Sequence, residues 1–321
     1  MPAVSTNNVL VLPRIPRPDA ATAHFRAVGR VVAAHKTLEG AGFPVSRPFP
    51  GGVAEQESDP FLLLDHFGPI DWGPGEPKGA PWHPHRGFET VTYMLDGAFE
   101  HKDSTGGGGL ITDGATQWMT AGSGILHDEL PPQYLIDSGG SFHGIQLWVN
   151  LPQRLKMTPP RYQDIAPGQV KLLASDDGGA LLRLIAGDLA GYDGPGATWT
   201  PITYLHASLT PGAQLKLPWR ADFNALVFVL EGRGFVGSED RPLSTDQMAV
   251  LGTGDTISLR AATDQHTRTG QLEVLILGGT PLREPVVFYG PFVMNTEAEI
   301  ATAISDYRAG RLGTIPAKYL N

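Results

Sequence analysis

The chain has 321 residues, 41% of them hydrophobic and 18% charged, which is enough apolar material for a sizeable core and too little charge for a disordered chain. A net charge of −9 sets the surface against phosphate backbones, so nucleic acid is not expected as a direct partner. There are no cysteines, which excludes disulfides, thiolate metal sites, iron–sulfur clusters and cysteine nucleophiles; any tight metal site must use histidine nitrogens and carboxylate oxygens.

The opening, MPAVSTNNVLVLPRIPRPDA, has no basic segment followed by an apolar block, and no apolar run reaches the roughly 20 residues of a membrane span. A cytoplasmic protein without a membrane partner is the expectation. Gly (40) and Pro (28) make up about a fifth of the chain and are spread throughout, which favours short strands and turns over long helices.

In chain order, the first chemistry-bearing segment is HPHRGFETVTYMLDG, residues 83–97. His83 and His85 are two apart, so on a strand both imidazoles leave the same face and converge on one point. Glu89 has the same parity, and an unbroken strand would aim it inward too. Phe88–Leu95 then alternates as a strand, carrying Val91, Tyr93 and Leu95. His66 and His101 read as hydrogen-bonded structural residues, Asp103 and Ser104 as a turn. Gly106–Gly109 reads as a flexible loop, since no Lys follows it to make a phosphate cradle.

Strands are predicted next over Gln117–Thr120, Gly124–Glu129 and Gly144–Asn150. The second of these holds a further same-face pair, His127 and Glu129, after the tight turn AGSG. Three neutral imidazoles and a carboxylate suit Fe(II), Mn(II), Ni(II), Cu(II), Co(II) or Zn(II). The Pro-rich stretch Leu151–Ile165 places a domain boundary near residue 155, giving halves 1–155 and 156–321. Strands follow over Leu181–Ala186, Thr203–Leu209, Ala225–Leu230, Gln247–Leu251, Thr256–Leu259 and Leu272–Leu277. His143, His206 and His266 have no same-face partner with metal chemistry. Near the end, Thr296 with Glu299 forms a capping box for a short helix whose stripe is Ile300, Ile304 and Tyr307 and whose stop is Gly310.

An internal repeat links the halves. Displaced by 135 residues, His83–Gly97 lies on Pro218–Gly232; displaced by 130, Ala121–Glu129 lies on Leu251–Leu259. The partners of His83, His85, His127 and Glu129 are then Pro218, Arg220, Ile257 and Leu259, none of which makes an ordinary metal site. One ion per chain, in the first half, is the expectation.

DPFLLLDHFGP (59–69), HPHRGFETVTYML (83–95), QWMTAGSGILHDE (117–129), GIQLWVNLP (144–152) and FYGPFVMNT (288–296) together closely resemble pirin proteins, in order and across most of the chain. His83, His85, Glu89 and Gly97 are also similar to the first motif of the wider cupin superfamily. The pirin resemblance implies an all-β fold of two cupin-type, jelly-roll β-barrels packed together, with a short C-terminal helix. It implies one iron, as Fe(II), in the first barrel through His83, His85, His127 and Glu129. The general cupin pattern nominates Glu89 instead; the closer family favours Glu129 and leaves Glu89 to orient a ligand or to pair with Arg86.

Four protein ligands on an octahedral ion leave two adjacent positions open. By resemblance to flavonol dioxygenases, the expected function is a quercetin 2,3-dioxygenase-type oxidoreductase acting on a small aromatic substrate such as a flavonol, with Glu129 as the catalytic base. The alternative is a non-enzymatic, iron-dependent redox sensor or regulator that binds a protein partner. A monomer is expected.

Overall fold

The computed structural model describes residues 5, 6 and 8–319. Strands dominate it, and the longest helix among the described residues is Glu297–Arg308. Thr296 accepts a hydrogen bond from the Glu299 backbone and Glu299 reaches back to the Thr296 N–H, so the predicted capping box forms; of the predicted stripe Ile300 is buried and Ile304 partly so, while Tyr307 is 44% exposed and Ala303 is buried instead. Gly310 follows with φ of +71°, where the helix stops.

The chain divides into two compact units, each a seven-stranded and a four-stranded antiparallel sheet. In the first barrel the seven-stranded sheet runs in the order Arg161–Ile165, Thr116–Thr120, Phe88–Asp96, Gly140–Asn150, Phe61–Trp72, Phe43–Phe49, His35–Glu39. Its four-stranded sheet runs Ala80–His85, Ile125–Leu130, Phe99–Asp103, Gly108–Ile111. In the second barrel the four-stranded sheet runs Gln214–Pro218, Thr256–Ala261, Arg233–Val236, Arg241–Ser244, the same order of equivalent strands. The repeat seen in sequence is therefore a repeat of topology. Its ungapped alignment is one residue out at one place: His127 pairs across strands with His83, whereas Ile257 pairs with Leu217 and not with Pro218. Leu215, Leu217, Ile257 and Leu259 all lie in the buried apolar core of the second barrel.

The units are not the halves 1–155 and 156–321. One comprises the residues before Lys36 with Arg47–Asp59 and Gly168–Pro281; the other comprises Lys36–Ser46, Pro60–Pro167 and the chain from Leu282 onwards. Two contacts explain the difference. Arg161–Ile165, part of the stretch that looked like a linker, is the edge strand beside Thr116–Thr120. The hairpin Val287–Tyr289 and Phe292–Met294 and the helix after it return to the first barrel, where Phe292, Met294, Ile300, Ala303 and Leu312 form a buried cluster.

At one end the interior of the first barrel is an aromatic plug of Phe43, Phe67, Phe99 and Phe142, with Met94 and Ile111. Phe67 and Phe142 stack at 5.0 Å and Phe99 meets Phe142 edge-on at 4.7 Å. Each buried ring of this size contributes about 1.5–3 kcal/mol. Two residues along the same faces the character changes: Phe99 gives way to His101 and Met94 to Thr92. That polar end holds the candidate site.

Candidate metal centre

The four-stranded sheet of the first barrel presents a grid of donors, because side chains two apart share a face and register aligns neighbouring strands. His83 lies opposite His127, and His85 opposite Ile125. On the other side of the central strand, His127 lies opposite Asp103 and Glu129 opposite His101. Among the described residues, two groups of three have ligand atoms within 4.8 Å of one another: His83, His85 and His127; and His101, His127 and Glu129. His127 belongs to both. The expected set of His83, His85, His127 and Glu129 is thus spread over two overlapping groups, with His101 in the second.

His83 Nδ1 lies 2.7 Å from the Pro81 carbonyl, and His85 Nδ1 lies 3.2 Å from the Pro291 carbonyl. A carbonyl only accepts, so each Nδ1 carries the ring hydrogen and each Nε2 of a neutral ring is a bare lone pair. These two Nε2 atoms are 3.0 Å apart. A proton shared between them is opposed by burial, which pushes His83 below its ordinary range and His85 well below it. Two lone pairs facing one another fit a cation: nitrogens bonded at about 2.1 Å and at right angles to one ion lie about 3.0 Å apart.

His127 supplies the third observation. It is wholly buried, neither ring nitrogen has a hydrogen-bond partner, and burial pushes it well below the usual histidine range. Leaving a buried polar group without a partner costs about 1–3 kcal/mol, so an imidazole unpaired on both nitrogens fits a site built for something else to bind. The donor set fits a divalent metal ion.

Glu129 stands at the edge of this cluster. Thr92 Oγ1 lies 2.8 Å from its Oε1 and 2.6 Å from Gln146 Oε1. Thr92 has one hydrogen for two neighbours. A protonated Glu129 donates to Thr92, which donates to Gln146; an ionised Glu129 accepts from Thr92. Burial pushes the carboxyl up to about 7, the Thr92 bond opposing and the nearby Asp128 charge adding.

Glu89 is elsewhere. The strand carrying the histidines ends at His85, and Phe88–Asp96 belongs to the other sheet. Gly87 makes the switch at φ +92°, where a Cβ would stand 2.0 Å from the Val293 carbonyl. The parity that joined Glu89 to His83 and His85 is broken there. Glu89 is three residues from Thr92, so alternation sends it to the opposite face, where it accepts a hydrogen bond from Thr120. Nor does it pair with Arg86, whose partner is Asp306 at 2.8 Å.

Two residues beside the histidines had no functional reading in sequence. His101 is 1% exposed, and its ring lies 4.9 Å from that of His127. The alternation Phe99, His101, Asp103 was the available signal, since it turns His101 inward beside the aromatic plug. Tyr162, whose hydroxyl meets His101 Nε2, fell in the supposed linker. His66 is a structural residue as expected, bonded to His143 at 2.8 Å.

Aromatic rings flank the histidines. Phe88 and Trp148 lie edge-on to His85 at 5.1 and 5.2 Å, and Phe288 of the C-terminal hairpin stacks on Trp148 at 5.6 Å while 42% exposed.

Comparison with known proteins finds relatives over most of the chain. Residues 42–149 match the family described as Pirin and residues 204–313 the Pirin C-terminal cupin domain. A pirin-like protein of Solanum lycopersicum is 40% identical over 289 residues, 90% of this chain and 93% of that one. Pirin of Rattus norvegicus is 38% identical over 290 residues, 89% of this chain and 94% of its own. The crystal structure of a quercetin 2,3-dioxygenase from Acinetobacter baumannii superposes with a TM-score of 0.84 at 40% identity, covering 91% of this chain and all of that one. On likeness of this extent in both barrels, the chain belongs to the pirin family.

Proposed function

We propose that this protein is a mononuclear iron enzyme of the flavonol 2,3-dioxygenase type, with His83, His85, His127 and Glu129 as the protein ligands. The observation that carries the reading is the facing pair of bare Nε2 atoms on His83 and His85 beside the unpartnered His127. The likeness to the Acinetobacter quercetin 2,3-dioxygenase supports the substrate class. Iron is proposed on the pirin resemblance; its redox couple gives access to dioxygen chemistry, which Zn(II), with no second oxidation state, lacks.

When bound, the ion supplies Lewis-acid polarisation of a substrate hydroxyl and redox access to dioxygen. The remaining work falls to the chain. Pro81 and Pro291 carbonyls fix the tautomers of His83 and His85, holding both lone pairs toward one point. Trp148, backed by the wholly buried Phe88, and the partly exposed Phe288 offer ring faces and edges to a flat aromatic substrate. The burial of His85, His127 and Glu129 excludes water from the reacting centre. Glu129 takes the proton of the flavonol 3-hydroxyl, and Thr92 steadies the carboxylate before transfer and accepts from the carboxylic acid after it.

Oxygen uptake by iron-loaded protein with quercetin tests this. We expect uptake matched by carbon monoxide release, and none with the flavone that lacks the 3-hydroxyl. Iron-loaded protein that consumes no oxygen with any flavonol would overturn the activity while leaving the metal site standing.

A further inference from the structure

We propose that Gln146 orients the substrate: the free end of its side-chain amide donates a hydrogen bond to the carbonyl oxygen beside the hydroxyl that Glu129 deprotonates. The inference rests on the flavonol reading above. It narrows the substrate to a planar ring ketone with a hydroxyl on the neighbouring carbon and an aryl group on the far side of that hydroxyl.

Gln146 lies in the middle of the central strand Gly140–Asn150, opposite Thr92 on one neighbouring strand and Asp65 on the other. Alternation puts it on the face that carries Trp148, toward the barrel interior. Along this strand Ile145, Leu147 and Val149 are buried, whereas Gln146 and Trp148 are partly exposed. The inward face is the more open one, so at this end the barrel holds space instead of packed core. Gln146 Oε1 lies 2.6 Å from Thr92 Oγ1, and Thr92 Oγ1 lies 2.8 Å from Glu129 Oε1. The other end of the amide, Nε2, meets no group among the described residues.

A carboxyl and an amide that share one threonine lie side by side. So do the hydroxyl and carbonyl oxygens of a hydroxy ketone, about one hydrogen-bond length apart. Glu129 meets the hydroxyl and Gln146 the carbonyl. Once the hydroxyl proton has passed to Glu129, the acid donates to Thr92 and Thr92 donates to Gln146 Oε1. The amide then presents its N–H groups to the ring anion, whose charge is shared with the carbonyl oxygen. Trp148 stands about 7 Å further along the strand on the same face, where the aryl group lies. A substrate turned end for end would set its aryl group against the amide and leave the N–H groups unpaired. Gln146 and Trp148 together therefore admit one orientation.

The test combines a crystal structure of the nickel-loaded protein with quercetin, prepared without oxygen, and oxygen-uptake kinetics of the iron-loaded wild type, Gln146→Met and Gln146→Glu. We expect Gln146 Nε2 within about 3.2 Å of the quercetin carbonyl oxygen. In both variants kcat/KM for quercetin should fall about tenfold, the effect of one lost hydrogen bond. Met keeps the length of the side chain without its N–H groups; Glu keeps the oxygen that faces Thr92 and loses the N–H groups. A Gln146 that served only to support Thr92 would be replaced by Glu, so Gln146→Glu within about twofold of wild type would overturn the inference. Gln146→Met within the same range would overturn it too, as would quercetin bound with its carbonyl turned away from Gln146. The Ni(II) affinity of Gln146→Met should match that of the wild type; a loss parallel to that in kcat/KM would assign Gln146 to the support of the metal site and overturn its role toward substrate. An iron-loaded wild type that consumes no oxygen with any flavonol would overturn the flavonol reading itself.

Discussion

At the scale of single residues, the candidate site is defined by groups in poor circumstances for a metal-free protein. His127 is the clearest, buried with both ring nitrogens unpartnered. His127→Leu removes that unpaired polarity, so the metal-free variant should be as stable as the wild type or more stable, by up to about 1–3 kcal/mol. Ile257 occupies the equivalent place in the second barrel, so an aliphatic residue suits the fold there. Thermal melts with and without Ni(II) check this: the melting temperature of the metal-free variant should hold, and the rise on adding nickel should vanish. A collapse of the metal-free variant would mean that His127 is structural. Glu129 gives a pH dependence whose sign is fixed. Below about 7 its carboxyl keeps a proton that an ion must displace, and above about 7 it does not. Burial holds the imidazoles of His83, His85 and His127 below their ordinary range, so they favour the neutral, metal-binding form more than a free histidine does. Ni(II) affinity should therefore rise about tenfold per pH unit from about 5 to 7 and level off above. Titrations across that range measure the slope; a slope near three would mean that the histidines titrate as well.

At the scale of elements, the site depends on where the chain changes sheet. Gly87 separates the histidine strand Ala80–His85 from Phe88–Asp96, and its positive φ and contact with the Val293 carbonyl leave no room for a side chain. The Val293 N–H bonds back to the Arg86 carbonyl, and the buried Lys156 Nζ reaches both the Gly87 and Val293 carbonyls, at 2.8 and 3.0 Å. This junction positions His85 and also Pro291, whose carbonyl orients it. Gly87→Ala should cost about 2–4 kcal/mol and weaken nickel binding together with stability. Gly75→Ala is the control: its φ is +79° but a Cβ there meets nothing within 4 Å, so only the backbone strain of about 1 kcal/mol is expected. Urea denaturation of the two variants separates the terms, and equal midpoints would remove the Val293 contact from the explanation.

At the scale of the whole molecule, the first barrel is not contiguous in sequence. A fragment of residues 1–155 lacks the Arg161–Ile165 strand, Lys156, the hairpin with Pro291 and the helix carrying Asp306, the partner of Arg86. We expect this fragment neither to fold nor to hold an ion. Near-UV circular dichroism and elemental analysis of the purified fragment check it; a folded fragment with one ion per chain would show that the returning segments are dispensable.

What the sequence determined by itself was local. Alternation along a strand is a property of the backbone, so the same-face pairs His83 with His85 and His127 with Glu129 could be read directly. The Thr296–Glu299 capping box spans a single helical turn and was equally legible. The repeat, with its apolar counterparts Ile257 and Leu259, could be read as well, because duplicated strands keep their order and their turn glycines. Only the tertiary structure decided the rest. Glu89 left the site because the chain switches sheets at Gly87, and a parity count cannot see a change of sheet. His101 entered it through cross-strand register with Glu129, which depends on how two separate strands align. The carbonyl that orients His85 comes from Pro291, 206 residues away. Register, sheet switching and the return of the C-terminal hairpin are set by the packing of distant segments, and no window of sequence contains them.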